Sequence, residues 1–472
     1  MMQTWESKTS ETYNDNIQKL RDIEFPSLKD LSAHLYGNPH SACTPSALAG
    51  RRVDEIRERV LEFFNADPKY FDLVFVANAT AAMKLVMDCF KDHCDATQRL
   101  PRSQRRRFWY GYHLDAHNSL VGIRETADGG QHCFGSDQEV EAWIHDGSNS
   151  SKKQRRKQLR LFAYPGQSNM TGRRLPLAWP AQIRASPHTS DVYTLLDAAA
   201  LATTSPLDLS DPTQAPDFTC ISFYKIFGYP DLGALIVRTA NPSLAPILSS
   251  RRYFGGGTVD MVTCPLPSTN PTTAPFHAKK QTPSSPHTHL EDGTLPFHSI
   301  LTLAAALSAH ARLYTSMRHT SAHTSTLTTY LHASLAALRH PSTNSPLLTI
   351  YDDHHHHHHD ADDTTPYASD PARQGPMLAF NVLAPDGATL VPPARVERAA
   401  DAAGVFVRSG SLCNPGGAAR LLGWSAAELR RLHERDGLRC GGETADEDEA
   451  VREKVTGGRP TGVVRAEVSG KR

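Results

Sequence analysis

Lys225 lies in the run Ile221-Ser-Phe-Tyr-Lys-Ile-Phe-Gly228, 28 positions after an acid, Asp197, that closes the apolar segment Tyr193-Thr-Leu-Leu-Asp197. An ammonium among apolar and aromatic neighbours is costly to bury, so this setting predicts a lowered lysine pKa. A neutral amine of that kind forms a Schiff base with an aldehyde. The acid supplies the complementary part, because a carboxylate facing a pyridine nitrogen keeps that ring protonated and electron-withdrawing. The pair points to pyridoxal 5′-phosphate chemistry. Taken singly, each residue has a plainer reading: the Asp caps a turn after a strand, and the Lys is a solvated loop charge.

Other residues extend the set. Asn78-Ala79-Thr80 joins a strand to a helix, where free N–H groups and a hydroxyl form a phosphate site, or where Thr80 merely caps. His117, one of 24 histidines, opens a helix, where an imidazole can stack on an aromatic cofactor or move protons. Asn169, in Gln167-Ser-Asn-Met-Thr-Gly172, can bond a phenolic oxygen or simply turn the chain before Gly172. Cys413 sits in the Gly/Pro-containing loop Arg408-Ser-Gly-Ser-Leu-Cys-Asn-Pro-Gly416. An exposed, mobile thiol near a cation such as Arg408 makes a good sulfur nucleophile. Arg465 can clamp a carboxylate through two parallel hydrogen bonds, or serve as a surface charge.

The elements that must position these residues alternate. Residues 46–64 space Leu48, Val53, Ile56, Val60, Leu61 and Phe64 along one helical face. Strands are predicted at Phe71–Ala77, Phe108–Tyr112, Leu159–Tyr164, Val192–Leu196, Phe218–Ser222 and Leu232–Val237, with helices running from Thr80 to about Phe90 and near 118–126. Such alternation makes an α/β domain with a mostly parallel sheet, whose ligands bind beyond the carboxyl ends of the strands. Asn78, Asp197 and Ser222 all fall at such ends. Residues 260–289, rich in Pro, Thr, Ser and His, read as a long loop. Helices at 297–316 and 322–339 follow. Strands at Met377–Val382 and Val405–Val407 then mark a smaller α+β domain.

Composition narrows the class. The chain has 472 residues, with 50 Lys plus Arg balanced by 50 Asp plus Glu. That balance offers no electrostatic footprint for nucleic acid or an anionic membrane. Eight scattered cysteines without a CxxC pair argue against a disulfide framework or a zinc cluster. No stretch of 18 apolar residues and no apolar leader occurs, so a cytoplasmic setting is expected. The basic runs Arg102–Arg107 and Lys152–Lys157 read as solvated loops. The His354–His359 tract reads as low-complexity insert rather than a metal site.

The ordered motifs Tyr36-Gly-Asn-Pro-His-Ser41, Asn78-Ala-Thr80, His117, Phe162-Ala-Tyr-Pro-Gly-Gln-Ser-Asn-Met-Thr-Gly-Arg-Arg174, Leu196-Asp-Ala-Ala199, Ser205-Pro-Leu-Asp-Leu209 and Ser222-Phe-Tyr-Lys225 resemble the class V aminotransferase fold. More closely, they resemble the N-terminal, cysteine-desulfurase-like domain of molybdenum cofactor sulfurases. Tyr253-Phe-Gly-Gly-Gly-Thr258, Leu290-Glu-Asp-Gly-Thr-Leu295 and the Cys413 loop extend the likeness across most of residues 16–470. The resemblance implies a fold type I enzyme that binds pyridoxal 5′-phosphate. Lys225 would form the Schiff base, Asp197 would partner the pyridinium, His117 would stack on the ring, and Asn169 would bond its phenolic oxygen. Ala79, Thr80 and Ser222 would hold the phosphate, with Thr294 reaching in from the second subunit of a homodimer. Cys413 would take sulfur from L-cysteine as a persulfide, releasing L-alanine, and Arg465 and Arg408 would bind substrate. The sulfur acceptor in such families is the molybdenum cofactor, in its role of activating xanthine dehydrogenase and aldehyde oxidase.

The likeness also sets the expected organisation: an arm at 1–35, a large cofactor-binding domain at 36–316, and a small domain at 317–472 with an insert near 352–364. Phe25-Pro-Ser-Leu-Lys-Asp30 runs almost directly into Leu35-Tyr-Gly37, where the family carries a further strand and loop. The closing helix and the C-terminal molybdenum-cofactor-binding domain of full-length sulfurases are also expected to be missing. Alternative readings are a general cysteine desulfurase or selenocysteine lyase, and a truncated inactive paralogue.

Overall fold

Strand β4, Gln158–Pro165, carries six consecutive buried residues, Arg160 to Pro165, of which Leu161 to Tyr164 alternate between two cores. Leu161 and Ala163 pack with Val74, Phe108, Tyr110, Leu195 and Phe218 on one face. Phe162 and Tyr164 pack with Phe75, Phe134, Trp179 and Leu196 on the other. A strand covered on both faces has no polar side to show, so it appears in sequence as an unbroken apolar run.

The computed structural model of the chain describes residues 43–147, 157–264, 275–280, 285–351, 370–438 and 459–468, with Asp15, Lys19 and Thr282 besides. The Tyr36–Ser41 motif, the 1–35 arm apart from Asp15 and Lys19, most of the Lys152–Lys157 run and the His354–His359 tract lie outside the described residues. Seven strands form the main sheet: β1 (Asp72–Val76), β2 (Arg107–His113), β3 (Gln131–Phe134), β4, β5 (Val192–Asp197), β6 (Phe218–Ser222) and β7 (Gly233–Val237). Their spatial order is β1-β7-β6-β5-β4-β2-β3. Strand β7 runs antiparallel to β1 and β6, and the remaining neighbours pair in parallel. Six of the seven strands therefore point the same way, as the alternating pattern predicts.

Helices cover both faces. Thr44–Phe63 and Phe297–Tyr314 pack together over one core, and Ala79–Thr97 and Leu244–Ser249 cover the other. Buried Arg57, on the first of these helices, pairs with buried Glu291 at 2.6 and 3.0 Å, and Glu291 also accepts from the Phe75 N–H at 2.6 Å. The Leu290–Leu295 motif is thus clamped to the edge strand β1.

A second, antiparallel sheet has the order β10-β11-β13-β12, from Leu348–Ile350, Met377–Val382, Val463–Glu467 and Arg408–Gly410. A two-stranded ribbon, β8 (Val259–Thr263) and β9 (Phe276–Lys279), stands where a loop was expected. Its residues are mostly exposed, so Pro, Thr and Ser at and beyond its ends mask the pairing in composition. The strand expected at Val405–Val407 instead begins at Arg408, and Val405 and Phe406 are 57% and 75% exposed. The helix expected to stop near Phe90 continues to Thr97, and that of 322–339 runs over Met317–Ala336. Arg102–Arg105 are exposed, in keeping with a solvated loop.

One buried histidine gives the fold a pH signature. In the short helix His287–Leu290, His287 bonds the Asp72 carboxylate at 2.8 Å. His289 is 4% exposed, and neither ring nitrogen has a hydrogen-bond partner among the described residues. Burial, followed by nearby Lys279, pushes its pKa down to about 4 from 6.5. Between those values the unfolded chain binds the proton and the folded chain does not, so stability falls as pH drops. The loss is expected to reach about 3 kcal/mol by pH 4 and to grow no further below it. Urea unfolding of His289→Phe against the parent checks this. A parent-like slope between pH 6.5 and 4 in the variant would refute it.

Candidate active site

Because six strands share a direction, the segments that leave them gather at one edge. Asn78–Thr80 follows β1, His117 follows β2, Asn169 follows β4, Asp197 closes β5, and Ser222 and Lys225 follow from β6. The register aligns Pro165 with Asp197, Asp197 with Cys220, and Ser222 and Val76 with Gly233. The opposite edge holds a cavity of about 570 Å³ lined by Arg106, Arg184, Arg238, Asp191 and Asp217. Part of its charge is already paired, Arg238 with Asp217 at 2.5 Å within the lining and Asp191 with Arg160 behind it at 3.1 Å.

At the carboxyl edge, Asn78 caps the 19-residue helix Ala79–Thr97 by accepting from the Ala81 N–H at 3.0 Å. Asn78, not Thr80, is the cap. Buried Ser222 accepts from the Ala79 N–H at 3.0 Å, tying the end of β6 to the start of that helix. Thr80 is exposed, and its Oγ1 lies 2.7 Å from Ser119 Oγ. Ser119 in turn lies 3.0 Å from His117 Nδ1 and donates its N–H to that nitrogen at 3.2 Å. A ring nitrogen that accepts from an N–H leaves the neutral imidazole's proton on Nε2. A hydroxyl relay therefore joins the helix N-terminus to the imidazole. Sequence reasoning missed Ser119, which stands two residues after His117.

Three titratable groups act on one another here. Burial pushes the Asp197 carboxyl above its ordinary value, while Lys225, the Ala199 N–H at 3.0 Å and His117 hold it down. Burial pushes the His117 imidazole down, with Asp197 opposing and Lys225 adding to the effect. Lys225 and His117 therefore stand near enough to Asp197 for their charges to act on its carboxyl.

The environment of Lys225 differs from expectation. Its side chain is exposed, not buried among apolar neighbours. The reason is geometric: Phe223–Phe227 is a single short helix whose Phe223 and Ile226 point into the core, which turns Tyr224 and Lys225 outward. Sequence adjacency to aromatic residues is not spatial contact with them.

The Cys413 loop also departs from the mobile, exposed segment expected. Cys413 is half-buried. Its carbonyl accepts from the Asn118 N–H at 2.9 Å, which fixes it to the helix that His117 opens. Asn169 donates Nδ2–H to the Leu412 carbonyl at 2.6 Å, and its Oδ1 accepts from Asn414 at 3.3 Å. Both ends of the Asn169 amide are thus engaged with the cysteine loop. Arg465, on β13, donates to the Asn169 carbonyl at 2.6 Å and lies 3.5 Å from Glu467. Its buried Nε has no hydrogen-bond partner among the described residues, and burial holds its pKa below the ordinary value. Arg408 stands directly across from Arg465 in the β12–β13 pair and is exposed. Thr294 is exposed next to Gly293, which bridges to Gly256.

Beneath the loop lies an ionic cluster that no sequence motif announced. Arg173 bonds both oxygens of Asp137 at 2.8 Å and lies 3.3 Å from Asp115, which also meets Arg420 at 3.2 Å. Burial pushes the Asp115 carboxyl up, but Arg420, Arg173 and His113 bring it below its ordinary value. Arg420 follows the cysteine loop in the chain, so the cluster joins that segment to the main sheet.

The sequence description of the family named "Aminotransferase class-V" matches residues 25–103 and 138–365. The chain belongs to the class V aminotransferase family. Within it, similarity is high to curated proteins named molybdenum cofactor sulfurase. That of Aspergillus fumigatus is 47% identical over 478 residues, covering 96% of this chain and 51% of the relative. That of Neosartorya fischeri is 49% identical over 439 residues, covering 93% and 46%. The chain therefore spans about half the length of these relatives. Among solved structures, the apo cysteine desulfurase of Thermococcus onnurineus superposes with a TM-score of 0.59 at 16% identity, covering 94% of this chain and 86% of that one. At that identity the likeness shows the fold, which is the fold type I arrangement expected from the sequence.

Proposed function

We propose that this chain is a pyridoxal 5′-phosphate-dependent sulfurtransferase that takes sulfur from L-cysteine onto Cys413 as a persulfide, releases L-alanine, and supplies sulfur for the molybdenum cofactor. The observation that carries this reading is the bond from the Asn118 N–H to the Cys413 carbonyl. It ties a candidate sulfur acceptor to the element that presents His117 beside Asp197 and Lys225.

The residues suit the cofactor. The N-terminus of the helix Ala79–Thr97, with the hydroxyls of Thr80 and Ser222, is a donor set for a phosphate. Asp197 is a buried acid at a strand end whose pKa is raised by burial, and its Oδ1 accepts from the Ala199 N–H. Such a carboxyl is stabilised as the anion by a pyridinium placed against it. Lys225 stands within electrostatic reach of both Asp197 and His117. Bound there, the cofactor's ring supplies an electron sink for the amino acid's α-carbon.

This chain's own groups do the rest. Lys225 holds the cofactor and moves protons at the substrate carbons, and His117 covers the ring. Arg465, with Arg408 beside it, holds the substrate carboxylate. Cys413 forms a new S–S bond as the substrate's C–S bond breaks; the carbon gains a proton, so cysteine and thiol become alanine and persulfide without an external oxidant. Thr294 reaches the phosphate of a second copy in a homodimer. The unit works in the cytoplasm, with a large domain at 36–316 and a small one at 317–472. The separate seven- and four-stranded sheets support the division into domains, and the exposure of Thr294 supports its contact with a second copy.

Purified protein given pyridoxal 5′-phosphate and L-cysteine is expected to release alanine and persulfide sulfur in equal amounts. No alanine from a correctly folded, cofactor-loaded sample contradicts the reading. Delivery is tested by adding molybdenum cofactor as acceptor: sulfur that reaches other acceptors but never this one identifies a general desulfurase.

A further inference from the structure

Two carbonyls of the cysteine loop are caught from opposite sides. Asn169, beyond β4, donates to the Leu412 carbonyl at 2.6 Å, and the Asn118 N–H, beyond β2, donates to that of Cys413 at 2.9 Å. Asn414 locks the arrangement. Its fully buried amide donates to the Asp115 carbonyl at 3.0 Å, to Asn169 Oδ1 at 3.3 Å and to Ser168 Oγ at 3.4 Å, while its Oδ1 accepts from the Gly417 N–H at 3.0 Å. Gly416 makes the approach possible, because a Cβ there would lie 2.4 Å from the Leu114 carbonyl oxygen. Between these anchors, Leu412 and Cys413 take φ of 53° and 57°, a left-handed conformation that non-glycine residues keep only when their surroundings dictate it.

We propose that Asn169 and Asn414 are positioning residues for Cys413. Asn169 straps Leu412 to the turn beyond β4, and Asn414 straps the loop to both that turn and Asp115, so the thiol is presented to the His117 side of the site by a docked turn. Asn169 then acts on the sulfur-carrying loop, a role separate from any contact with the cofactor ring. The inference rests on Cys413 being the sulfur carrier. Its test nevertheless needs neither substrate nor turnover.

The test follows the rate of iodoacetamide alkylation at Cys413 by peptide mass spectrometry, with exposed Cys43 as internal reference. Wild type, Asn169→Ala and Asn414→Ser are compared as cofactor-loaded proteins. Asn414→Ser keeps a helix-capping oxygen while removing the amide donors. Both variants are expected to raise the Cys413 rate about tenfold relative to Cys43, the factor that loss of one such hydrogen bond supports. The visible cofactor band is expected to stay unchanged in Asn414→Ser. An altered band with an unchanged alkylation rate in Asn169→Ala overturns the proposal, since Asn169 would then serve the ring alone. If Asn414→Ser does not fold, Asn169→Ala decides by itself. Failure of alanine release in wild type with faster alkylation in the variants would sink the sulfurtransferase reading and spare the strap.

Discussion

Lys225→Ala is expected to abolish the visible absorbance band of the cofactor-loaded protein and to slow alanine release from L-cysteine by at least about 10³-fold, within the range for losing a positioned proton-transfer group. The amine stands on the outward side of the helix Phe223–Phe227, where it acts on both Asp197 and His117. No conservative exchange restores it. In Lys225→Arg the charge stays, but a guanidinium does not give up its proton and cannot serve as an amine nucleophile. Because Lys225 is exposed, neither substitution disturbs the core, and urea unfolding of both is expected to match wild type. A band that survives in Lys225→Ala contradicts the assignment.

Cys413→Ala is expected to separate cofactor binding from sulfur transfer. Its visible band should match wild type, since the bond that holds Cys413 to the helix opened by His117 runs from the Asn118 N–H to a backbone carbonyl, which alanine keeps. Protein-bound persulfide should fall to background, and alanine release without added reductant should drop by about 10²-fold or more, as expected when a reaction loses its nucleophile. Single-turnover assays with L-cysteine, read by alanine and by persulfide labelling, check both parts. Undiminished persulfide in this variant would move the acceptor to another thiol, with exposed Cys133 and Cys264 the first to examine.

The inner strands of the sheet were legible because they are buried on both faces, so Leu159–Tyr164 and Phe218–Ser222 stand out as short apolar runs between helices. The edge strand Gln131–Phe134, exposed at three of its four positions, carries no such run and was missed. Asp197 was legible for a related reason: an acid ending such a run must sit at the carboxyl edge of a parallel sheet. The environment of Lys225 was not. Its aromatic neighbours are adjacent in the chain, yet one helical turn sends Phe223 inward and Lys225 out. The Cys413 loop was found by its Gly and Pro punctuation, which also suggested mobility. What pins it comes from Asn118, Asn169 and Asp115, almost 250 residues or more away in sequence, and no local pattern encodes such contacts. The ribbon β8–β9 escaped for the opposite reason, since its exposed strands carry no apolar signature.

Whether the buried acid and the amine serve sulfur transfer, and not some other reaction of the family, is read most directly at Cys413 itself. Cofactor-loaded protein is incubated with L-cysteine, trapped under non-reducing conditions, and digested for mass spectrometry. The Cys413 peptide is expected to gain one sulfur atom in wild type and none in Lys225→Ala. Alanine formed while that peptide keeps its original mass would contradict the account.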